Sequence, residues 1–223
     1  MRAAILSFLL TACMILSPAA ASASNGLENG AGDAGTSMPV YDLDPAPLTV
    51  QRPSNDRGAF IAQVGEASVA TIARTSPTQY ARIDQSGDNN RADVTQSGGG
   101  AHYAHASQGG EGNTLDLLQS GIGGQVALVQ QSGSLNTMTL EQQGGIVSSG
   151  LAAIQLGHDN SMSLLQAGDN NQARLVQNGS GNAMSASQAG GNNQLTWIQN
   201  GDHLSDLSIA QTGNQVMAVT QSR

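Results

Sequence analysis

The chain has 223 residues and a formal net charge of −8 with no lysine, which argues against a nucleic-acid-binding surface. Aromatic residues make up 3% of the sequence and charged residues 11%, and this composition argues against an ordinary two-layer enzyme domain with a bulky core. Instead, 28 Gly, 22 Gln and 16 Asn residues accompany 39% hydrophobic residues, as is typical of repeat proteins and of ordered aggregates.

The first 23 residues have the features of a secretory signal peptide. A positively charged start precedes the mainly apolar stretch Ala3–Leu16, which is too short to span a bilayer, and Ala21-Ser22-Ala23 forms a small-residue cleavage site. Cleavage near Ala23 would remove Cys13, the only cysteine, and with it any disulfide or thiolate metal site. Lipoprotein processing at Cys13 stays open as the alternative, because Leu10-Thr11-Ala12-Cys13 resembles a lipobox.

Residues 24–56 are predicted to form a disordered N-terminal segment. They are rich in Gly, Asn, Asp and Ser, contain four of the six prolines and show no sustained apolar period. The patterned sequence then extends over residues 57–223, and it contains no proline after Pro77. We therefore predict one folded domain over 57–223.

A short repeat runs through this domain. The triplet Gln-x-Gly recurs mostly every 11 or 12 residues, and Asn often follows five residues after the Gln. Between an Asn and the next Gln, apolar residues occupy every second position, as in Asn171, Ala173, Leu175 and Gln177. This period is typical of a strand with one buried face, whereas a helix would need a period of 3.6 residues. The sequence therefore predicts an all-β solenoid of strands and corners.

Fifteen strands fit this pattern. The residue that follows the alternating apolar positions of a strand, usually the Gln, is here called its anchor. The anchor positions are 63, 74, 85, 96, 108, 119, 130, 142, 155, 166, 177, 188, 199, 211 and 221, all Gln except Arg74. Two strands form a rung of about 22 residues, so seven to eight rungs stack at about 4.8 Å. The pairs Gln130-Gln131 and Gln142-Gln143 leave an ambiguity of one residue, which a bulge could absorb. The Gly two residues after each anchor is expected at the corner with a positive φ.

The predicted stack has a cross-β, amyloid-like core in which amide side chains form ladders along the rod. The predicted ladder residues are Gln63, Gln85, Asn90, Gln96, Gln108, Asn113, Gln119, Asn136, Gln155, Asn160, Gln166, Asn171, Gln177, Asn182, Gln188, Asn193, Gln199, Gln211 and Gln221. The predicted inward apolar residues are Ile61, Ile83, Val94, Leu115, Leu117, Leu128, Leu140, Met162, Leu164, Leu175, Leu195, Trp197, Leu207 and Ile209.

The units Gln85–Gln96 and Gln166–Gln177 resemble the curlin repeat, Q-x-G-x-x-N-x-A-x-x-x-Q. This resemblance implies a secreted structural subunit of curli, the extracellular amyloid fibres of bacterial cell surfaces that support adhesion and biofilm formation. It also implies self-association, other curlin subunits as partners, and export by an outer-membrane secretion channel that recognises an N-terminal segment. Ala81–Asn90 and Met217–Arg223 resemble the minor, nucleating subunit, and the major subunit is the alternative.

Other classes of protein fit the sequence less well. The sequence predicts no catalytic residue, cofactor or metal site, because its four histidines share no motif and no nucleophile elbow or P-loop is present. A calcium-binding β-roll would need a nine-residue Gly-rich and Asp-rich repeat, which is absent. A monomeric solenoid adhesin or ice-binding protein stays open as an alternative, and the mass of the particle in solution separates a monomer from fibres.

Overall fold

The computed structural model describes residues 49–52 and 55–223. The predicted signal peptide, Cys13 and most of the predicted disordered segment lie outside the described residues. The described residues form no helix, and therefore none that could cross a membrane.

Fifteen β-strands follow one another along the described residues, which agrees with the number that the repeat predicts. They are β1 (Gly58–Val64), β2 (Val69–Arg74), β3 (Tyr80–Ser86), β4 (Arg91–Ser97), β5 (Tyr103–Glu111), β6 (Thr114–Gly121), β7 (Val126–Ser134), β8 (Thr137–Gly144), β9 (Gly150–His158), β10 (Ser161–Ala167), β11 (Gln172–Asn178), β12 (Ala183–Ala189), β13 (Gln194–Asn200), β14 (Leu207–Thr212) and β15 (Val216–Ser222).

The strands form two parallel sheets. The eight odd-numbered strands make one sheet, here called the odd sheet, and the seven even-numbered strands make the even sheet. Each strand pairs in register with the next strand of its own sheet, so that Gln177 lies beside Gln155 and Gln199. One rung therefore takes 22 to 24 residues, and the predicted β-solenoid is confirmed.

A single apolar column fills the space between the sheets. Inward side chains such as Ile83, Leu175 and Trp197 are fully buried, while alternate residues of the same strands face outward. Ile61 and Leu207 occupy inward positions of their strands but are 47% and 40% exposed. Their strands, β1 and β14, each lie at one end of their own sheet and have a neighbour on one side only.

The register of β7 corrects the sequence prediction by one residue. Gln131, not Gln130, pairs with Gln108 and Gln155. Inward positions are therefore Ala127 and Val129, and the prediction that Leu128 faces inward is wrong; Leu128 packs on an outer apolar cluster. The physical reason is the corner, since only Gln131 has a Gly two residues later, and that Gly adopts a φ of +116°.

An aromatic cluster lies on the outer face of the odd sheet. The rings of Tyr80 and Tyr103 stack with centroids 4.7 Å apart, and Val126 continues the row. Residues 49–52, which belong to the predicted disordered segment, contact this face. Val50 packs on the cluster and the guanidinium of Arg52 lies 5.4 Å from the Tyr103 ring.

The corners require glycine because adjacent rungs approach closely. At Gly110, φ is +103° and a Cβ atom would lie 2.0 Å from the carbonyl oxygen of Gly133. At the neighbouring Gly109, the nearest atom to such a Cβ is the Ser86 Oγ at 3.5 Å. These contacts explain why the third residue of the Gln-x-Gly triplet is Gly, whereas the middle residue varies.

Gly110→Ala is expected to lower the free energy of unfolding by at least about 2 kcal/mol, because strain and a backbone clash add together. Gly109→Ala is the matched control and should change it by no more than about 0.5 kcal/mol. Denaturant unfolding followed by circular dichroism measures both values. Equal midpoints for the two variants would contradict the corner geometry.

Candidate functional site: amide ladders and open strand edges

Two ladders of Gln side chains run along the solenoid. In each, the Nε2 of one Gln donates to the Oε1 of the Gln one rung further along the chain. The odd-sheet ladder has distances of 2.5–3.0 Å and the even-sheet ladder 2.7–2.8 Å. The odd-sheet ladder contains Gln63, Gln85, Gln108, Gln131, Gln155, Gln177, Gln199 and Gln221, and the even-sheet ladder Gln96, Gln119, Gln142, Gln166, Gln188 and Gln211.

Ladder amides also join the two sheets. The second hydrogen of Gln177 Nε2 goes to the Ser161 carbonyl at 3.0 Å, and that of Gln188 Nε2 to the Gln172 carbonyl at 3.1 Å. Buried amides need partners for both hydrogens and for the oxygen. The ladder and the carbonyl of the other sheet together supply all three, so a Gln can be fully buried beside the apolar column.

The corners carry a second kind of ladder, built on Asn. Asn113 donates its backbone N–H to the Asn90 Oδ1 at 3.0 Å and its Nδ2 to the Gly133 carbonyl at 3.0 Å. Asn136 repeats this pattern on Asn113. Asn ladders therefore fix one corner on the next, as Gln ladders fix one strand on the next.

The structure places all the predicted Gln and Asn ladder residues in these two kinds of ladder. Those in the ladders at the corners are Asn90, Asn113, Asn136, Asn160, Asn171, Asn182 and Asn193. Gln63 and Gln221 are the two ends of the odd-sheet ladder and bond to a ladder Gln on one side only. Of the predicted inward residues, Leu128 alone faces outward.

Sequence reasoning missed ladder members of other residue types. A further ladder lies on the corner that leads into the odd strands. There the side chains of His102, Gln125 and Ser149 each accept a hydrogen bond from a backbone N–H one rung later. Each of these residues lies six positions before the Gln anchor of its strand, as Asn171 does. That constant offset is the signal that could have identified them.

His102 takes the place of an Asn in this corner ladder. Its Nδ1 accepts from the Gln125 N–H at 3.1 Å and its Nε2 lies 2.9 Å from the Ser97 carbonyl. This pair of contacts requires the neutral ring with the proton on Nε2. Desolvation lowers the pKa of His102 and outweighs the bonds that raise it, so the folded state holds the neutral form.

Acid is expected to destabilise the solenoid through His102. Because the folded state lowers this pKa, stability is complete above the unfolded value of about 6.5 and is lost as the pH falls below it. His102→Asn keeps a ladder side chain without titrating. Unfolding midpoints between pH 7.5 and 5 should therefore fall more for the wild type than for the variant, and parallel curves would contradict this role.

Asp84 carries a compensated charge on the outer face of the odd sheet. Burial raises the pKa of this carboxyl, but hydrogen bonds from Arg82 at 2.6 Å and His105 at 3.0 Å outweigh burial and the pKa is lowered. The described residues contain no cluster of three or more ligand side chains that could hold a metal ion.

The even-sheet Gln ladder stops at Gln96. The next anchor is Arg74, whose guanidinium donates to the Gln79 carbonyl at 2.6 Å instead of to Gln96. The Gln96 Oε1 is buried and has no hydrogen-bond partner in the described structure. Both Gln ladders therefore have a direction, with donors aimed towards β14 and β15 and acceptors towards β1 and β2.

The outer strands expose apolar side chains and backbone edges. Among the described strands, β1, β2, β14 and β15 each pair on one side only. Exposed apolar residues there include Ile61, Val69, Val216 and Met217. Unpaired strand edges of this kind are templates for another chain.

Comparison with known protein families found a match to the repeating unit. A model of the curlin associated repeat matches residues 78–98 and 157–190. Both of these stretches carry the curlin associated repeat. The matched parts contain whole strands of both sheets, from β3 and β4 to β10, β11 and β12.

This repeat supports a curli-type structural subunit. The comparisons with curated proteins and with solved structures found no match.

Proposed function

We propose that this curlin-repeat protein is a secreted subunit of curli-type amyloid fibres at a bacterial cell surface, where the fibres serve adhesion and the biofilm matrix. The observation that carries the proposal is the pair of directional Gln ladders, one from β1 to β15 and the other from β4 to β14. A second copy can continue both the hydrogen bonds and the apolar column.

The remaining parts of the chain fit the same function. Residues 1–23 act as a signal peptide, and residues 24–56 form the segment that an outer-membrane secretion channel recognises. The folded domain, residues 57–223, then forms the fibre. The subunit takes part in nucleation, with other curlin subunits as partners, and the major subunit is the alternative role.

Fibre formation is tested on the full chain at micromolar concentration. We expect fibres that bind amyloid dyes and a diffraction reflection at about 4.7–4.8 Å along the fibre axis, because the rungs stack at the strand spacing. A particle that stays monomeric on a sizing column would reject the fibre function and favour a monomeric solenoid adhesin.

Nucleation is tested separately by seeding. A small amount of the preformed fibre is added to another curlin subunit, and the lag before dye binding is measured. A strongly shortened lag supports the nucleating role. If the lag is unchanged although the chain forms fibres itself, the result favours the role of major subunit.

A further inference from the structure

The described solenoid contains a half-integral number of rungs. Fifteen strands at two per rung give eight strands in the odd sheet and seven in the even sheet. At one end, β15 extends the odd sheet and no described strand of the even sheet covers β14. This end is therefore stepped, with a place for one strand beside β15 and above β14.

The two halves of a rung are equivalent in structure. Odd and even strands both carry a Gln anchor with inward residues two and four positions before it, as Leu175 and Ala173 precede Gln177 and Leu164 and Met162 precede Gln166. Because the chain reverses at each corner, strands of the two sheets run in opposite directions. A half-turn about the long axis therefore places an odd strand, correctly oriented, where an even strand would follow.

We propose that successive copies join head to tail with a half-turn about the fibre axis, β1 of the next copy lying over β14 and β2 over β15. This joint rests on the proposed fibre function and specifies the partner surface as a second copy of this chain. It places Gln63 over Gln211 and Ile61 over Ile209, in the parallel register of every other pair in the solenoid.

The direction of the ladders favours this joint. Gln211 ends the even-sheet ladder, and its Nε2 turns to the Gln215 carbonyl at 3.2 Å instead of to a further Gln. The other hydrogen of Gln211 Nε2 goes to the Gln194 carbonyl at 2.9 Å. Gln63 begins the odd-sheet ladder as a donor to Gln85, so across the joint its Oε1 can replace the Gln215 carbonyl as the acceptor for Gln211. A tail-to-tail or head-to-head joint would face donors with donors or acceptors with acceptors.

Corner shape separates the half-turn from a straight joint without rotation. Gly213, two residues after Gln211, has nothing within 4 Å of a Cβ position, whereas the corner glycines Gly65 to Gly179 mostly meet the carbonyl of the next glycine at about 2 Å. The half-turn puts Gly65 of the next copy over Gly213. The straight joint puts it over Arg223, whose Cβ would meet that carbonyl, and it leaves the place above β14 empty.

The half-turn joint also covers apolar side chains. It places Ala59 over Leu207 and Ala70 over Met217, two residues that are 40% and 36% exposed in the single chain. One position does not continue the ladder, because Arg74 comes to lie over Gln221. The other anchor, the inward apolar positions and the corner glycine match across the joint.

Cross-linking in the full chain carrying Cys13→Ser tests the geometry. The variant Ala62→Cys/Ala210→Cys pairs outward positions of β1 and β14, which the half-turn brings to about 4.8 Å, within the Cα range for a disulfide. The matched variant Ala62→Cys/Thr220→Cys pairs β1 with β15, as the straight joint would. Within one chain the Ala62 and Ala210 positions are about 30 Å apart along the axis, so no internal bridge can form.

Fibres are first confirmed by dye binding and sedimentation, then oxidised mildly and run on a non-reducing gel. We expect most of the Ala62→Cys/Ala210→Cys protein to shift from monomer to covalent dimers and larger multimers, while the Ala62→Cys/Thr220→Cys protein stays monomeric. Fibres with the reverse result, or cross-linking of either single-cysteine variant, overturn the half-turn joint and leave the fibre function standing. Absence of fibres in the Cys13→Ser parent rejects the fibre function itself, and the joint with it.

Discussion

Gln131→Glu is expected to destabilise the solenoid by several kcal/mol at neutral pH. Gln131 is 1% exposed and donates to the Thr114 carbonyl and to the Gln155 Oε1, both at 3.0 Å. A carboxylate cannot donate, so both acceptors would lose their partner and face a buried negative charge. An unpaired buried ion costs several kcal/mol even after the surroundings relax.

The neighbouring Gln130 supplies the control. It is the same residue type on the same strand, but it is exposed on the outer face. Gln130→Glu should therefore change the free energy of unfolding by no more than about 0.5 kcal/mol. Denaturant unfolding of both variants compares the two faces directly.

The pH dependence of Gln131→Glu gives a second test. Burial raises the pKa of a carboxyl, and the side-chain donor left to this one is the Gln108 Nε2 of the ladder. Stability is therefore lost as the pH rises above the unfolded value of about 4.3, and part of it returns in acid. Wild type and variant both contain His102 and are expected to lose stability in acid through it, so the variant should lose less stability than the wild type as the pH falls. Equal effects of Gln130→Glu and Gln131→Glu would show that the register of β7 is not the one described.

The strand pattern could be predicted because one signal repeats. Gln, Gly and the two inward apolar residues keep a constant spacing, and the parallel in-register stack turns that spacing into ladders and a column. This explains why fifteen strands and the inward face of nearly all of them follow from the sequence.

The exceptions arise where that signal is ambiguous or carried by another residue type. At Gln130-Gln131 either residue satisfies the pattern, and the corner at Gly133 decides between them. His102 and Ser149 present a polar atom at the place of an Asn oxygen, which a search for Asn alone cannot recognise. The repeat pattern also does not show where the stack ends. Ile61 occupies an inward position in the pattern, but it is exposed because β1 is an end strand.

The outer face of the odd sheet shows a further limit of periodicity. Tyr80 and Tyr103 occupy outward positions, which a period of two assigns to solvent, yet they are 7% and 4% exposed. Stacking of one ring on the other and cover by Val50 bury them. That cover comes from a segment without any repeat, so no spacing within the repeat predicts it.

Leu164→Asn is expected to lower the free energy of unfolding by about 3–5 kcal/mol. Leu164 is 2% exposed in the apolar column and lies between Leu140 and Ala186 of the adjacent strands. The change removes packed methyl groups and buries an amide beside apolar neighbours that offer it no hydrogen bond, and these two costs add. The following residue, Leu165, is 39% exposed on the other face.

Leu165→Asn is therefore the matched control and should change stability by less than about 1 kcal/mol. Assembly should follow the same order, because the column that Leu164 fills continues from copy to copy in the proposed fibre. We expect the Leu164 variant to lengthen the lag of dye binding strongly and the Leu165 variant to resemble the wild type. Equal stabilities of the two variants, or equal lag times of their dye binding, would contradict a fibre built from the folded solenoid. Such a result would favour assembly through another conformation of the chain.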